Sequence, residues 1–228
     1  DNDIIRYYEV AKQEVLNHYF YIEETTDLQP FEQYQNVYFT LQNQLKGKDV
    51  IFIKGVTIME KSGKLYMYLR GFSVISYDAL GNFTKSFRVP FAKVSAVNKS
   101  DFLSEYNWIN DVKDEELLPY AMLESLSKDT EGEKILPTYS YASEEIKKAT
   151  ELEKTHYVFP MKYNDLLLLC SASLGAQNMD LSSLIGFSKN CSKYGFSYEV
   201  YTSTLIRRLY YPFFIMTLIL FAAIFGWN

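Results

Sequence analysis

From residue 37 to residue 97 the chain runs in short, largely apolar stretches, most of them separated by polar residues, glycine or proline. The runs are 37–41 (VYFTL), 50–53 (VIFI), 57–60, 65–69 (LYMYL), 72–77 (FSVISY), 83–89 and 92–97. Lys46-Gly47-Lys48-Asp49, Ser62-Gly63 and residues 78–82 supply turns between them. Short β-branched and aromatic runs between turn clusters predict strands. Strands at a spacing of roughly ten residues, with no helix of useful length among them, predict a β-sandwich, jelly roll or barrel. A parallel α/β sheet is disfavoured for the same reason.

The ends of the chain carry a different period. In residues 3–23, Ile4, Ile5, Tyr8, Ala11, Val15, Leu16 and Tyr19 recur at helical spacing among Arg6, Glu9, Lys12 and Glu14. This predicts an amphipathic helix, either on a domain surface or beside a membrane. Residues 100–154 are more polar. Trp108-Ile109 and 135–141 predict short strands there, and 143–153 a helix or a loop. Tyr157-Val158-Phe159 restarts a strand before Pro160. Asp180 is a good N-cap for a helix over 181–194, whose apolar face carries Leu184, Ile185 and Phe187. Gly195 follows as a C′ glycine, the expected hinge. Ser197 then caps a second helix, with Glu199 in its first turn, that runs through Arg207 and Arg208.

That second helix leads into residues 209–227, nineteen residues without a charge. At ~1.5 Å per residue such a helix covers ~28 Å, about the thickness of a bilayer's hydrocarbon core. Arg207 and Arg208 close its N-terminal side, and Tyr210, Tyr211 and Trp227 stand at its ends, where amphipathic rings favour the membrane interface. A buried core helix is the other reading, but it is usually shorter and rarely apolar on every face. A membrane span is expected, with a kink or restart at Pro212.

Composition narrows the function. A formal net charge of −5, without any run of five basic residues, argues against a nucleic-acid partner. Cys170 and Cys191 do not make a disulfide framework; they could pair in an oxidising compartment or stay free. His18 and His156 are too far apart in sequence to suggest a metal site. No phosphate-cradling glycine loop, GxSxG elbow or HExxH occurs, so neither catalytic residues nor a cofactor are expected on this chain. The chain opens on Asp1 and stops as the apolar run ends, which leads us to expect a piece of a longer membrane protein.

The order of these features resembles a family. Residues 179–225 read MDLSSLIGFSKNCSKYG, then FSYEVYTSTLIRR, then LYYPFFIMTLILFAAIFG. They are similar to the membrane subunits of the lipopolysaccharide-export ABC transporter, the YjgP/YjgQ permeases. That family has a Leu-rich helix, a glycine, and a Tyr-containing helix leading through Arg-x-x-x-Pro-Phe into an apolar span. Arg208, Pro212 and Phe213 take those places. Asn2-Asp3-Ile4-Ile5 resembles the stretch after the family's third membrane helix, though Arg6 stands where a proline often follows. Residues 78–112, with Gly81, Ala92 and Trp108-Ile109-Asn110, resemble its strand region.

The resemblance implies a periplasmic β-jellyroll over residues 25–170, between a membrane-proximal helix (1–24) and a helical connector (171–208). A fourth membrane helix (209–228) would follow. It implies the bacterial inner membrane, a paralogous permease subunit as heterodimer partner and a cytoplasmic ATPase dimer where ATP is hydrolysed. Lipid would pass from the membrane to a periplasmic jellyroll bridge protein. The positive-inside rule, applied to Arg207 and Arg208 alone, would put the β domain in the cytoplasm; the resemblance puts it in the periplasm. Lipid would be held by the apolar face of the strands. Alternation puts Leu65, Met67 and Leu69 on one face and Tyr66 and Tyr68 on the other. The first set, with Phe72 and Val74, is the candidate lipid-binding set. The alternative is a membrane-anchored β domain that binds a lipid or a protein without any transport cycle.

Overall fold

The computed structural model describes residues 33–226 apart from 62–63, 103–107, 110–111, 114, 127–132 and 150–154. The amphipathic helix expected over 3–23 and the interface residue Trp227 lie outside the described residues.

Four long strands open the described chain: β1 (Tyr34–Gln42), β2 (Lys48–Lys61), β3 (Lys64–Tyr77) and β4 (Phe83–Asn98). Five short ones follow: β5 (Leu117–Met122), β6 (Ser125–Leu126), β7 (Lys134–Ile135), β8 (Thr138–Tyr141) and β9 (His156–Val158). β1 to β4 form an antiparallel meander. β5 and then β9 extend it beside the C-terminal half of β4, and β8 pairs with the N-terminal half, giving one seven-stranded sheet. β6 and β7 form a separate two-stranded ribbon. The helices are α1 (Glu144–Ala149), α2 (Tyr163–Ala172), α3 (Leu181–Ser188) and α4 (Tyr198–Gly226). The protein is therefore mainly antiparallel β, with a long apolar helix at the C-terminal end.

The strands are fewer and longer than the pattern predicts. The runs 50–53 and 57–60 belong to β2, 65–69 and 72–77 to β3, and 83–89 and 92–97 to β4. The residues that break the alternation are not turns; they form a transverse crease. Asn36 and Lys54 fall between the pairs Gln35↔Gly55 and Val37↔Ile53. Gly71 falls at the same level between Arg70 and Phe72, which pair with Gly55 and Ile53, and Pro90 follows on β4 between Phe91 and Val89. One residue per strand is thus unpaired in a row across four strands. Asn36 and Gly71 hold φ of 53° and 61°, and Pro90 has no N–H to give a ladder.

Because side chains alternate at period two, one uncounted residue reverses every position beyond it. On one side of the crease Val37, Phe39, Leu41, Ile51, Ile53, Phe72, Val74, Phe87 and Val89 enter the core. On the other side Val56, Met67, Leu69, Ala92 and Val94 do so, at the opposite parity. All of them belong to one apolar cluster with Tyr163, Leu166, Leu169 and Cys170 of α2 and with Leu184 and Phe187 of α3. The crease lets the sheet keep a single apolar face across this change of parity.

A smaller cluster lies apart from this core. Ile109, Val112, Leu118 and Val158 pack together with Val97, Trp108 and Tyr120. Trp108 and Ile109 are not a strand, as their apolar pair suggests, but plugs from the loop after β4. The Lys99 ammonium holds that loop by donating to the carbonyls of Ile109 (2.7 Å) and Val112 (2.8 Å). Lys162 donates to Glu116 Oε1 at 2.6 Å, which ties the loop's end to the start of α2. That bond holds the Glu116 carboxyl below its usual range.

Candidate functional site

Two places bear on the function that the sequence leads us to expect: the apolar face of the sheet and the root of α4. On the sheet, Met67, Leu69, Phe72 and Val74 are all buried in the main core. Leu65 is on β3, and its side chain is outside the described residues. Tyr68 is buried too but is absent from that core, opposite Lys93 in the β3–β4 ladder. The expected division of Met67 and Leu69 from Tyr68 therefore holds. Simple alternation would have turned Phe72 and Val74 away from Met67 and Leu69; the crease at Gly71 brings the two pairs together.

Phe72 is the centre of this face. Its ring lies 5.5 Å from Phe87, 5.6 Å from Phe159 and 5.9 Å from Tyr157, and Phe159 is 6.4 Å from Phe39. Tyr157 is fixed in turn by donating its hydroxyl to Asp49 Oδ2 at 2.9 Å. Phe39, Phe87, Tyr157 and Phe159 were hidden in the sequence among many similar rings, and only the strand order gathers them. In this arrangement protein side chains cover Met67, Leu69, Phe72 and Val74.

At the root of α4, Asp180 caps α3 by accepting from the Ser183 N–H at 2.9 Å. A second donor, the Ser182 hydroxyl, holds the carboxyl well below its ordinary range. The helix expected over 181–194 is two pieces: α3 and a 3-10 turn over Cys191–Tyr194. Gly195 closes that turn in the left-handed region, with φ of 85°, as a C′ glycine should. A Cβ built there would lie 2.7 Å from Thr40 Oγ1, so Gly195 is also where the connector touches β1. Tyr194 donates to Asp165 Oδ2 at 2.9 Å, joining the turn to α2.

α4 leaves this support with one face held. The Tyr201 ring stands 4.9 Å from Phe187 and 5.8 Å from Phe196, and those two are 5.2 Å apart. Two turns later, the Arg208 guanidinium donates from Nη1 to the Met179 carbonyl and from Nη2 to the Gln177 carbonyl. Arg208 thus clamps the segment just before α3. Arg207 is exposed. Arg208→Met would keep an apolar stem and remove both donors. Charged hydrogen bonds of this kind contribute ~1.5–3 kcal/mol. Amide exchange over 177–183 is expected to quicken accordingly; unchanged protection would show that the clamp contributes nothing.

Beyond Arg208 the helix continues through Pro212 to Gly226. Pro212 lies inside it and removes the bond its N–H would give to the Arg208 carbonyl. This helix is long and apolar enough to cross a membrane, and its apolar window is 0% buried. Tyr210 and Tyr211 are exposed at the start of that window. Cys170 and Cys191 are both free and buried, and burial pushes the Cys170 thiol up to about 12. Among the described residues no cluster of His, Cys, Asp and Glu could hold a metal ion. The chain matches no protein-family model and no curated protein.

Proposed function

We propose that this chain supplies the periplasmic domain and fourth membrane helix of a permease subunit in a lipid-exporting ABC transporter. The subunit extracts lipopolysaccharide or a related lipid from the bacterial inner membrane and passes it toward a periplasmic jellyroll bridge protein. Its partners are a paralogous permease subunit and a cytoplasmic ATPase dimer, and ATP is hydrolysed there. The creased sheet is the body of its jellyroll-like domain.

One observation carries this reading. Arg208, in the Arg-x-x-x-Pro-Phe stretch, joins the connector to a helix that runs from Tyr198 to Gly226 without interruption. A passive anchor needs only an apolar span and tolerates a loose linker. A transporter must pass motion between span and β domain, and a helix clamped to the connector does that. The apolar face supports the same reading. Each CH₂ withdrawn from water is worth ~0.8 kcal/mol, so acyl chains favour a slot of this chemistry.

That face is closed in this structure by α2, α3 and Phe159, so lipid reaches it only when the helices lift from the sheet. The closed state favours a second reading, a membrane-anchored binding module with a permanent core. Photo-crosslinking separates them. A crosslinking residue at Met67 is expected to capture lipid during ATP-driven export and not at rest, while one at Tyr68 captures none. Capture at neither position in either state would leave the anchored module. Capture only at Tyr68 would put the lipid on the opposite face.

A further inference from the structure

Several apolar residues of the connector are exposed. Leu174 follows α2, Leu181 opens α3 and Ile185 lies one turn later, exposed by 45%, 43% and 39%. Leu181, Ile185 and the exposed Lys189 follow one another at i, i+4 and i+8 and so share a face of α3 and its C-terminal edge. The adjoining face carries the buried Leu184, Phe187 and Ser188. Exposed leucines are common on any domain surface. What distinguishes these is their depth.

Arg208 sets that depth. Side chains on a helix lean toward its N-terminus, so the carbonyls of Gln177 and Met179 are held about one turn, ~5 Å, above the apolar run that starts at Leu209. The headgroup layer on each side of a bilayer is ~5–7 Å thick. The 177–179 segment therefore lies within that layer once α4 spans the membrane. Leu174 and Leu181 flank the segment on either side. Short amphipathic helices at this depth bury their apolar face at the boundary of headgroups and acyl chains. A lysine at the end of such a stripe keeps its charge among the headgroups while its stem stays in the apolar layer.

We propose that the stripe Leu174, Leu181 and Ile185 rests in the headgroup layer of the bilayer that α4 crosses, so that the connector is a second membrane contact with phospholipid as its occupant. This rests on the reading of α4 as a membrane span, and the test separates the two. The full chain is reconstituted in phosphatidylcholine–phosphatidylglycerol nanodiscs, with an environment-sensitive fluorophore at Leu181→Cys, Ile185→Cys, Tyr198→Cys or Phe214→Cys. The native cysteines are buried, which keeps them from the label. A nitroxide lipid labelled near the headgroup is expected to quench the 181 and 185 sites several-fold more than the 198 site. Tyr198 lies ten residues before Arg208 on α4, ~15 Å farther from the span, and stays open to aqueous iodide. Iodide quenching at 181 and 185 equal to that at 198 would overturn the proposal. So would shielding of 181 and 185 from both quenchers, which would mean that protein covers the stripe. Failure of a deep nitroxide to quench the 214 site would show instead that α4 does not span.

Discussion

Phe72→Ala is expected to lower the stability of the β domain by ~3–5 kcal/mol, the range for removing a fully buried phenylalanine ring. The ring is wholly buried, and Phe87, Tyr157 and Phe159 all pack against it within 6 Å. It also sits immediately beside the crease, where the sheet changes parity. A cavity at that point has walls on β4, β9 and the segment after β9, and a sheet braced by two helices collapses poorly into it. The loss therefore belongs at the upper part of the range, and Phe72→Leu should cost less. Urea unfolding of the detergent-solubilised chain, followed by near-ultraviolet circular dichroism of its tyrosines, reads the difference. A loss under ~1 kcal/mol would mean that the face is loosely filled, and a standing lipid slot would become the better description of it.

Gly195→Val is expected to cost ~2–5 kcal/mol and, if the chain serves the proposed permease, to abolish export. Two effects add. An L side chain in the left-handed region costs ~1–2 kcal/mol, and a β-branched one fits it worst. The new Cβ also arrives 2.7 Å from Thr40 Oγ1, well inside contact distance, and overpacking of this kind costs ~1–3 kcal/mol. The two are separable. Thr40→Ala in the same chain removes the overlap and leaves the backbone strain, so the double variant should recover about half of the loss. No recovery would show that Thr40 moves aside without cost. Full recovery would show that the turn at 195 bears no strain. Either way, the connector meets β1 at this glycine, so its replacement should also disturb the seating of α4.

Much of the local grammar was legible without coordinates. Asp180 as N-cap, Gly195 as the left-handed stop and the start of a helix after Ser197 were each set by the chemistry of one or two residues. The turn after 37–41 and the uncharged run beginning at Leu209 were equally plain. Their free energies are local, so the chain carries them in sequence order. Other elements were not legible. Residues 164–170 form part of α2, but the uninterrupted leucines hide its period because Leu167 and Leu168, beside the buried Leu166 and Leu169, also pack partly against the core. β5 contains Pro119, which argues against a strand; it is tolerated because Pro119 lacks only a donor, and its carbonyl accepts from the Phe159 N–H.

The tertiary structure alone decided three things. It joined six expected strands into three, because Asn36, Lys54, Gly71 and Pro90 meet in one row only after the register of four strands is set. It put Phe72 and Val74 on the same face as Met67 and Leu69, against the period-two rule, because a row of unpaired residues reverses the parity of every strand at once. It brought Arg208 to the Gln177 and Met179 carbonyls, residues distant in sequence. Period, caps and turns are energies of neighbours along the chain. Registers and clamps are energies of neighbours in space, and these exist only once the sheet and its helices have come together.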